Sequence, residues 1–182
     1  MTTTAVRLGR SFPLPPGVHG RALFDGVTGN SGKYRWYLHR DWNPRKPKLI
    51  TIGMNPSSAG ANQDDNTIRL LERFAIREDF GSLTMLNAYA LVSTDRGALL
   101  ADDDPVGPKN NQWIEMYLSN AVPYRDTVIA CWGVIPRSRH DELIAMIKQH
   151  VLGCVSVDCF GKTSNGFPRH PLRTKLTPVP FL

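Results

Sequence analysis

The chain has 182 residues, 41% of them hydrophobic and 21% charged, which is typical of a single globular domain with a full core. Its 22 lysines and arginines exceed its 16 aspartates and glutamates, and the net charge of +6 favours a polyanionic partner such as nucleic acid. Three cysteines without a CxxC pair favour neither a disulfide framework nor a zinc site, and no apolar run resembles a signal peptide or a membrane span, so we expect a cytoplasmic protein.

The chain begins with a stretch rich in proline and glycine, residues 1–32, for which we expect an irregular N-terminal arm. Residues 33–182 are expected to form one α/β domain. Aromatic-rich or apolar runs predict strands over 33–42, 49–54, 82–92, 126–133 and 154–161. Amphipathic spacing predicts helices over 64–80, within 102–121 and over 138–151. Strands that alternate with helices favour a three-layer domain with a mainly parallel central sheet.

Ligands bind beyond the carboxyl ends of the strands in such a sheet, so the residues at these ends are the first candidates for a site. In this chain the ends are polar or contain glycine, and we expect them to converge on one crevice. They are Gly53 to Pro56, Asn87, Trp132 with Gly133, and the loop 161–173.

The loop after the strand 49–54 reads Gly-Met-Asn-Pro-Ser-Ser. Gly53 permits close approach of the backbone, Pro56 fixes the exit of the turn, and Ser57 and Ser58 leave room for backbone amides to face a ligand. A rigid loop of this kind suits a flat base or a phosphate, although the same residues are also typical of an ordinary turn.

Six short motifs follow one another along the chain, namely "GMNPSSAG", "DNTIR", "LNAYA", "DPVGPKNN", "ACWG" and "GFPRHPL". In this order they resemble the bacterial and phage family known as domain of unknown function 1643, over roughly residues 33–173. The order also resembles the uracil-DNA glycosylase superfamily, which has a Gly-x-Asp/Asn-Pro loop, a strand-end Asn, an apolar-Trp-Gly strand end and a late His-Pro-Ser/Leu loop. The matching residues are Gly53, Met54, Asn55 and Pro56, then Asn87, Trp132 with Gly133, and His170 with Pro171 and Leu172.

This resemblance implies a uracil-DNA-glycosylase-like fold and a hydrolase that removes a damaged or modified base from DNA, in repair or in phage defence. Such an enzyme flips the base into a pocket, reads its edge, stabilises its negative charge as it leaves, and directs a water at the sugar. The resemblance gives Gly53, Met54, Pro56, Asn87 and Trp132 to the base pocket.

Two of these roles have a plainer alternative. The carboxamide of Asn87 donates and accepts at once, which suits a pyrimidine carbonyl and ring N–H, but an Asn at this place also begins turns. His170 would donate to a base carbonyl oxygen, whereas a lone loop histidine is more often structural.

Two residues are candidates to activate the water. Asn55 stands where the most active members of the superfamily carry Asp, and an amide orients a water without accepting its proton. Asp65 is the nearest carboxylate after the loop and would supply the base, or it caps the helix that follows. Asp104 is a second carboxylate candidate, with a turn as its plainer reading.

Basic residues flank both candidate loops and fit a nucleic-acid surface. Arg35 and Arg40, together with nearby aromatic residues, suit stacking on bases, or they are solvated charges beside core aromatics. The residues expected to contact nucleic acid are Ser57, Ser58, Arg69, Lys162, Arg169 and Arg173. The superfamily usually has Lys where this chain has Ser164, and Lys162 is the candidate to replace it.

We expect no metal and no cofactor, because no His, Cys or Asp cluster has ligand spacing. The expected partner is DNA, single-stranded or with a base flipped out of the duplex, and the expected state is a monomer. Two alternatives stay open: an enzyme that acts on free nucleotides or nucleosides, and a non-catalytic nucleic-acid-binding module of the same fold.

Overall fold

The computed structural model describes residues 11–26, 29, 31–151 and 153–182. None of the helices in these ranges is long and apolar enough to cross a membrane. Its strands are β1 Phe12–Pro13, β2 His19–Phe24, β3 Arg35–Asp41, β4 Lys48–Gly53, β5 Gln63–Asp64, β6 Ser82–Asn87, β7 Thr127–Ala130, β8 Ser156–Cys159 and β9 Val179–Pro180. Its α-helices are α1 Asn66–Arg77, α2 Arg96–Ala101, α3 Asn110–Ser119 and α4 Arg137–His150, followed by a 3₁₀ turn at Pro171–Arg173.

Seven strands form one mixed sheet in the order β2-β3-β6-β4-β7-β8-β9. The four central strands, β6, β4, β7 and β8, are parallel, while β2, β3 and β9 join antiparallel at the two edges. β1 and β5 pair separately as a short antiparallel ribbon. The prediction of an α/β protein is confirmed, and the mainly parallel sheet is confirmed for its centre.

The core has two layers, one on each face of the sheet. The apolar side of α1, with Ile68, Leu71 and Phe74, packs on the face that carries Leu49 of β4. Helices α2, α3 and α4 cover the other face, where Ile50 of β4 is buried. Since β4 is central and covered on both faces, its run of apolar residues is the pattern expected of a buried parallel strand.

The expected irregular arm contains a strand of the main sheet. β2 pairs antiparallel with β3, and the β2 residues Ala22 and Phe24 are buried. Prolines and glycines surround this strand and obscured its alternation in the sequence, so the expectation of irregular structure is wrong for residues 19–24. Residues 1–10, 27, 28 and 30 of the arm lie outside the described residues.

Arg40 is completely buried, not part of a basic surface as the sequence suggested. Its guanidinium donates to Asp64 Oδ1 from Nε at 2.9 Å and from Nη2 at 2.8 Å, and Nε lies 3.6 Å from Glu72 Oε1. Nη2 also donates to the backbone oxygens of Gly60 at 2.6 Å and Gln63 at 3.1 Å. The residue therefore joins β3 to the connection between β4 and α1.

Two buried carboxyl groups share this one guanidinium. Burial and the neighbouring Asp64 carboxylate raise the pKa of Glu72 to about 8, although Arg40 opposes the rise. Glu72 therefore keeps its proton in the folded protein at pH values where the unfolded chain has lost it.

We expect the free energy of unfolding to fall by roughly 1–2 kcal/mol between pH 6.5 and pH 8, because only the folded state holds the Glu72 proton in that range. Glu72→Gln, which stays neutral at every pH, should remove most of this fall. Urea denaturation at three pH values measures it. Glu78→Gln, at the exposed end of the same helix, is the control, and parallel pH profiles for wild type and Glu72→Gln would contradict the prediction.

Candidate functional site

The site lies at the carboxyl ends of the parallel strands. In the sheet, β4 lies between β6 and β7. The connection from β4 to β6 runs through α1 on one face of the sheet. The connection from β6 to β7 runs through α2 and α3 on the opposite face. The gap between β4 and β7 is therefore the point at which the strand order reverses, where α/β sheets bind ligands.

Two neighbouring cavities open at this edge. The smaller, here called the Asp65 cavity, has a volume of about 190 Å³, and its lining includes Arg35, Asn55, Ser57, Asp65, Thr67 and Met85. The larger, here called the Arg173 cavity, has a volume of about 450 Å³, and its lining includes Arg96, Trp132, Gly133, Arg169 and Arg173. Met54 and His170 line both, so the two cavities adjoin.

Asn55 holds its own loop in place. Its Nδ2 donates to the backbone oxygens of Pro56 at 2.8 Å and Ser93 at 2.7 Å, and Ser93 N donates back to Pro56 O at 3.0 Å. These bonds join the loop after β4 to the segment after β6. Because the amide nitrogen is committed to carbonyls, Oδ1 is the atom of Asn55 that suits a water or a ligand donor.

Gly53 and Asn87 face each other where β4 and β6 end. A side chain on Gly53 would collide with the methyl group of Met85, and its Cβ would lie 3.4 Å from Asn87 Oδ1. A side chain at this position would therefore have to displace the flexible end of Met85. Asn87 is completely buried, and neither atom of its carboxamide has a hydrogen-bond partner among the described residues.

Asp65 caps α1, since its Oδ1 accepts a hydrogen bond from Ile68 N at 2.9 Å. The capping alternative from the sequence is thus confirmed, and the same carboxylate also lines the Asp65 cavity. The cavity brings together Asn55, Asp65 and His170, the three residues that the sequence suggested for catalysis, although Asn55 and His170 are far apart in the chain.

His170 is held in one tautomer. Its Nδ1 accepts a hydrogen bond from Leu172 N at 3.3 Å, so the proton of the neutral ring is on Nε2. Burial lowers the pKa of His170, with a smaller opposing effect from the Asp65 carboxylate. At neutral pH the ring is therefore an uncharged donor through Nε2.

Arg35 belongs to the Asp65 cavity, a placement that sequence reasoning missed. Only 2% of the residue is exposed, which corrects the expectation of a surface cation. The sequence feature that indicates this burial is the position of Arg35 between Tyr34 and Trp36, which are buried and stacked on each other. A cation between two core aromatics of a strand is itself a candidate for burial.

The residues predicted to contact nucleic acid divide into two groups. Arg169 and Arg173 line the Arg173 cavity, and Ser57 lines the Asp65 cavity. Lys162 donates from Nζ to Phe181 O at 3.0 Å, and the Arg69 guanidinium lies 4.1 Å from the centre of the Phe12 ring. These two cations are therefore held against the protein itself.

Three further predicted residues have defined surroundings. Ser58 Oγ is buried without a partner in the described part of the chain, and its backbone oxygen accepts from Gln63 Nε2 at 3.1 Å. Trp132 lies in the wall of the Arg173 cavity with no exposed surface, and its Nε1 donates to His140 Nδ1 at 3.1 Å. Asp104 accepts from Gly107 N at 2.8 Å, which is the turn role anticipated for it.

Other reactive groups do not complete a site. Cys131 is buried, and burial raises its pKa to about 12, so it is a neutral thiol and not a nucleophile. Across the described ranges, no group of three His, Cys, Asp or Glu side chains is arranged to hold a metal ion.

The fold and its cavities define an α/β domain with a polar site at the carboxyl edge of a mixed sheet. Residues 35–172, most of the chain, match the family described as "Protein of unknown function (DUF1643)", and the chain belongs to this family. The family prediction from the sequence motifs is thereby confirmed. No curated protein and no solved structure matches the chain.

We expect Asn87→Leu to raise the free energy of unfolding by about 1 kcal/mol, because it removes a buried amide that has no hydrogen-bond partner in the described part of the chain. Asn110→Leu is the matched control: Asn110 is also completely buried and its Oδ1 also has no partner among the described residues, but its Nδ2 donates to Asn87 O at 3.0 Å and Ala88 O at 3.3 Å. Asn110→Leu should lower the free energy of unfolding by about 1–3 kcal/mol. Chemical denaturation measures both, and equal losses in the two variants would contradict the assignment of Asn87 as unpaired.

Proposed function

We propose that the protein is a DNA glycosylase-like hydrolase with a uracil-DNA-glycosylase-like fold, which cleaves the N-glycosidic bond of a damaged or modified base flipped out of DNA. The observation that carries the proposal is that Asn55, Asp65 and His170 line one cavity at the carboxyl edge of the sheet, next to the cavity that Trp132 and Gly133 line. The cavity is smaller than the roughly 300 Å³ at which drug-sized pockets begin, which suits a single heterocyclic base.

Each of the three residues has a role that fits its surroundings. His170 donates from Nε2 to a base carbonyl oxygen, whose negative charge grows as the glycosidic bond breaks. Asp65 accepts the proton of the attacking water, and Asn55 Oδ1 accepts a hydrogen bond from that water and orients it. The neutral state of His170 supports its part, since a neutral donor becomes more effective as the base becomes an anion.

Base recognition is assigned to Asn87. Met85, two residues earlier on the same face of β6, lines the Asp65 cavity, and Asn87 is the next residue on that face. Its unpaired carboxamide supports a role in reading a carbonyl and a ring N–H, because a base edge would satisfy both of its atoms.

The proposed partner is DNA, either single-stranded or with one base flipped from the duplex, and the proposed state is a monomer in the cytoplasm. Arg96, Arg169 and Arg173 line the Arg173 cavity beside the Asp65 cavity, where a phosphate backbone would pass. Arg96 Nη2 donates to Val134 O at 2.8 Å and Arg169 Nε donates to Lys162 O at 3.1 Å, so two of these three cations are fixed in position.

A second candidate is an enzyme that acts on free nucleotides or nucleosides. It is favoured by Arg69 and Lys162, which contact the protein itself and so contribute less to an extended DNA surface. A non-catalytic nucleic-acid-binding module is favoured by Asn55, whose Nδ2 has a purely structural pair of bonds.

We expect His170→Ala to lower the single-turnover rate of base removal by roughly 10²–10³, the loss found when one donor to a developing charge is removed. The rate is measured as alkali-labile strand cleavage on the modified-base oligonucleotide that the wild type cleaves fastest. His19→Ala, an exposed histidine on the edge strand β2, is the control. An unchanged rate in His170→Ala would remove this residue from the mechanism.

We expect Asp65→Asn to lower the same rate by roughly 10²–10⁴, because Asn still caps a helix but does not accept the proton of water. Asp95→Asn, at the N-cap of α2, makes the same change at a cap outside both cavities and should leave the rate unchanged.

Asn55→Asp should also lose activity in this protein, because a carboxylate has no donor for the carbonyls of Pro56 and Ser93. A faster Asn55→Asp variant would assign the base to position 55 instead. If neither wild type nor any variant cleaves, with DNA binding retained, the binding module replaces the enzyme.

A further inference from the structure

Arg35 is a buried cation without a carboxylate partner in the ranges that the structure describes. Only 2% of the residue is exposed, and its Nη1 donates to Ala59 O at 2.8 Å. Its Nε is buried without a partner, and no carboxylate of the described residues forms an ion pair with it within 4.0 Å. A guanidinium offers five N–H donors, so the described residues leave most of its hydrogen-bonding capacity unused.

Arg40, on the same strand, provides the contrast. It is equally buried, but its guanidinium donates to the Asp64 carboxylate and to backbone oxygens. An unpaired buried charge is costly, and burial lowers the pKa of Arg35 to about 10. Because this cost falls on a residue that lines the Asp65 cavity, the missing partner is expected to be a ligand.

The second charge of the cavity is the Asp65 carboxylate. It raises the pKa of Arg35, so its charge acts on the guanidinium, yet the two groups are more than 4.0 Å apart. The Asp65 cavity thus holds a positive and a negative group that do not pair with each other. A ligand with a negative charge next to Arg35 and a positive charge next to Asp65 would pair with both groups at once.

N-glycosidic cleavage creates such a distribution of charge. The C1′–N bond breaks with its electron pair passing to the base, so that the base becomes negative and the sugar becomes positive at C1′. The oxygen of water then bonds to C1′, its proton passes to Asp65, and the base anion takes a proton from solvent.

We propose that Arg35 is a further catalytic residue, whose guanidinium contacts the departing base and stabilises its negative charge while Asp65 faces the sugar. This inference rests on the proposed function, and it adds to His170 a full positive charge that is in place before the reaction. It predicts that the cavity binds a heterocyclic anion more tightly than the neutral heterocycle.

The test reads the ionisation of a bound base without turnover. 5-Nitrouracil and xanthine, a pyrimidine and a purine with acidic ring N–H groups, are titrated by ultraviolet absorption with the full chain in excess. We expect the pKa of at least one of them to be lowered by about 1–3 pH units when bound, because an adjacent cation favours the anion.

Two variants separate charge from structure. Arg35→Lys keeps the charge and should retain most of the shift, whereas Arg35→Gln has no charge and should abolish it. Because the Gln amide is too short to reach Ala59 O as Nη1 does, binding of the neutral compound, at a pH below its pKa, is measured for both variants as well. If Arg35 only holds the loop through Ala59, Arg35→Gln should lose this neutral binding together with the shift. Circular dichroism and thermal unfolding establish that each variant is folded.

The outcomes distinguish this inference from the proposed function. A shift that depends on charge at position 35 supports the anion site even if no base is ever released from DNA. An equal shift in Arg35→Gln, an unshifted pKa in the wild type, or binding of neither compound would overturn it, even if base removal is observed.

Discussion

The buried guanidinium of Arg40 is the interaction on which the arrangement of the site depends. It binds Asp64 and the backbone oxygens of Gly60 and Gln63, and so fixes the end of the connection between β4 and α1 against β3. Gly20 of β2 packs against the same connection, since a side chain at this position would collide with Ala61 O. The glycine therefore leaves room for the connection to pass. Because Asp65 follows Asp64 directly, this ion pair determines where α1 begins and where its cap lies.

The two ends of the connection are held in different ways. At its beginning, Asn55 joins the chain to Ser93 through neutral hydrogen bonds. At its end, Arg40 holds Asp64 through a buried ion pair. A loop that is fixed at both ends has little freedom, which suits a site whose groups are to be preorganised toward a developing charge.

Buried polar groups without hydrogen-bond partners occur in several parts of the described chain. Arg40 donates from both sides of its guanidinium, although Asp64 Oδ2 and Glu72 Oε1 beside it have no such partner. Arg35 Nε and both carboxamide atoms of Asn87 are also buried without a partner among the described residues, and they lie at the carboxyl edge of the sheet, where the two cavities open. Because buried polar groups without partners lower stability, the groups at this edge are the ones that a ligand would satisfy.

Much of the fold was predictable because its central strands and helices have clear periodicity. The strand 49–54 and the apolar face of α1 needed only local patterns, and both were predicted. β2 was missed because its pairing with β3 is a long-range contact in a stretch rich in proline and glycine. The six-residue helix α2 was missed because so short an element has too few turns to show a period.

The site was predicted unevenly for a similar reason. Strand ends and short motifs identified Asn55, Asp65 and His170, because the carboxyl edge of a parallel sheet is determined by topology. The surroundings of individual cations were harder to predict: the aromatic neighbours of Arg35 indicate burial, but they do not show that it lines a cavity, and nothing in the sequence indicates that Lys162 donates to Phe181 O. Such differences depend on tertiary neighbours, which composition does not specify.

The most direct measurement is mass spectrometry of the wild-type protein incubated with a panel of single-stranded oligonucleotides, each carrying one modified base. The account predicts that at least one oligonucleotide loses its base and gains the elements of water, with the free base appearing in equal amount. Unchanged masses across the panel, or a base altered while still attached to its sugar, would contradict it.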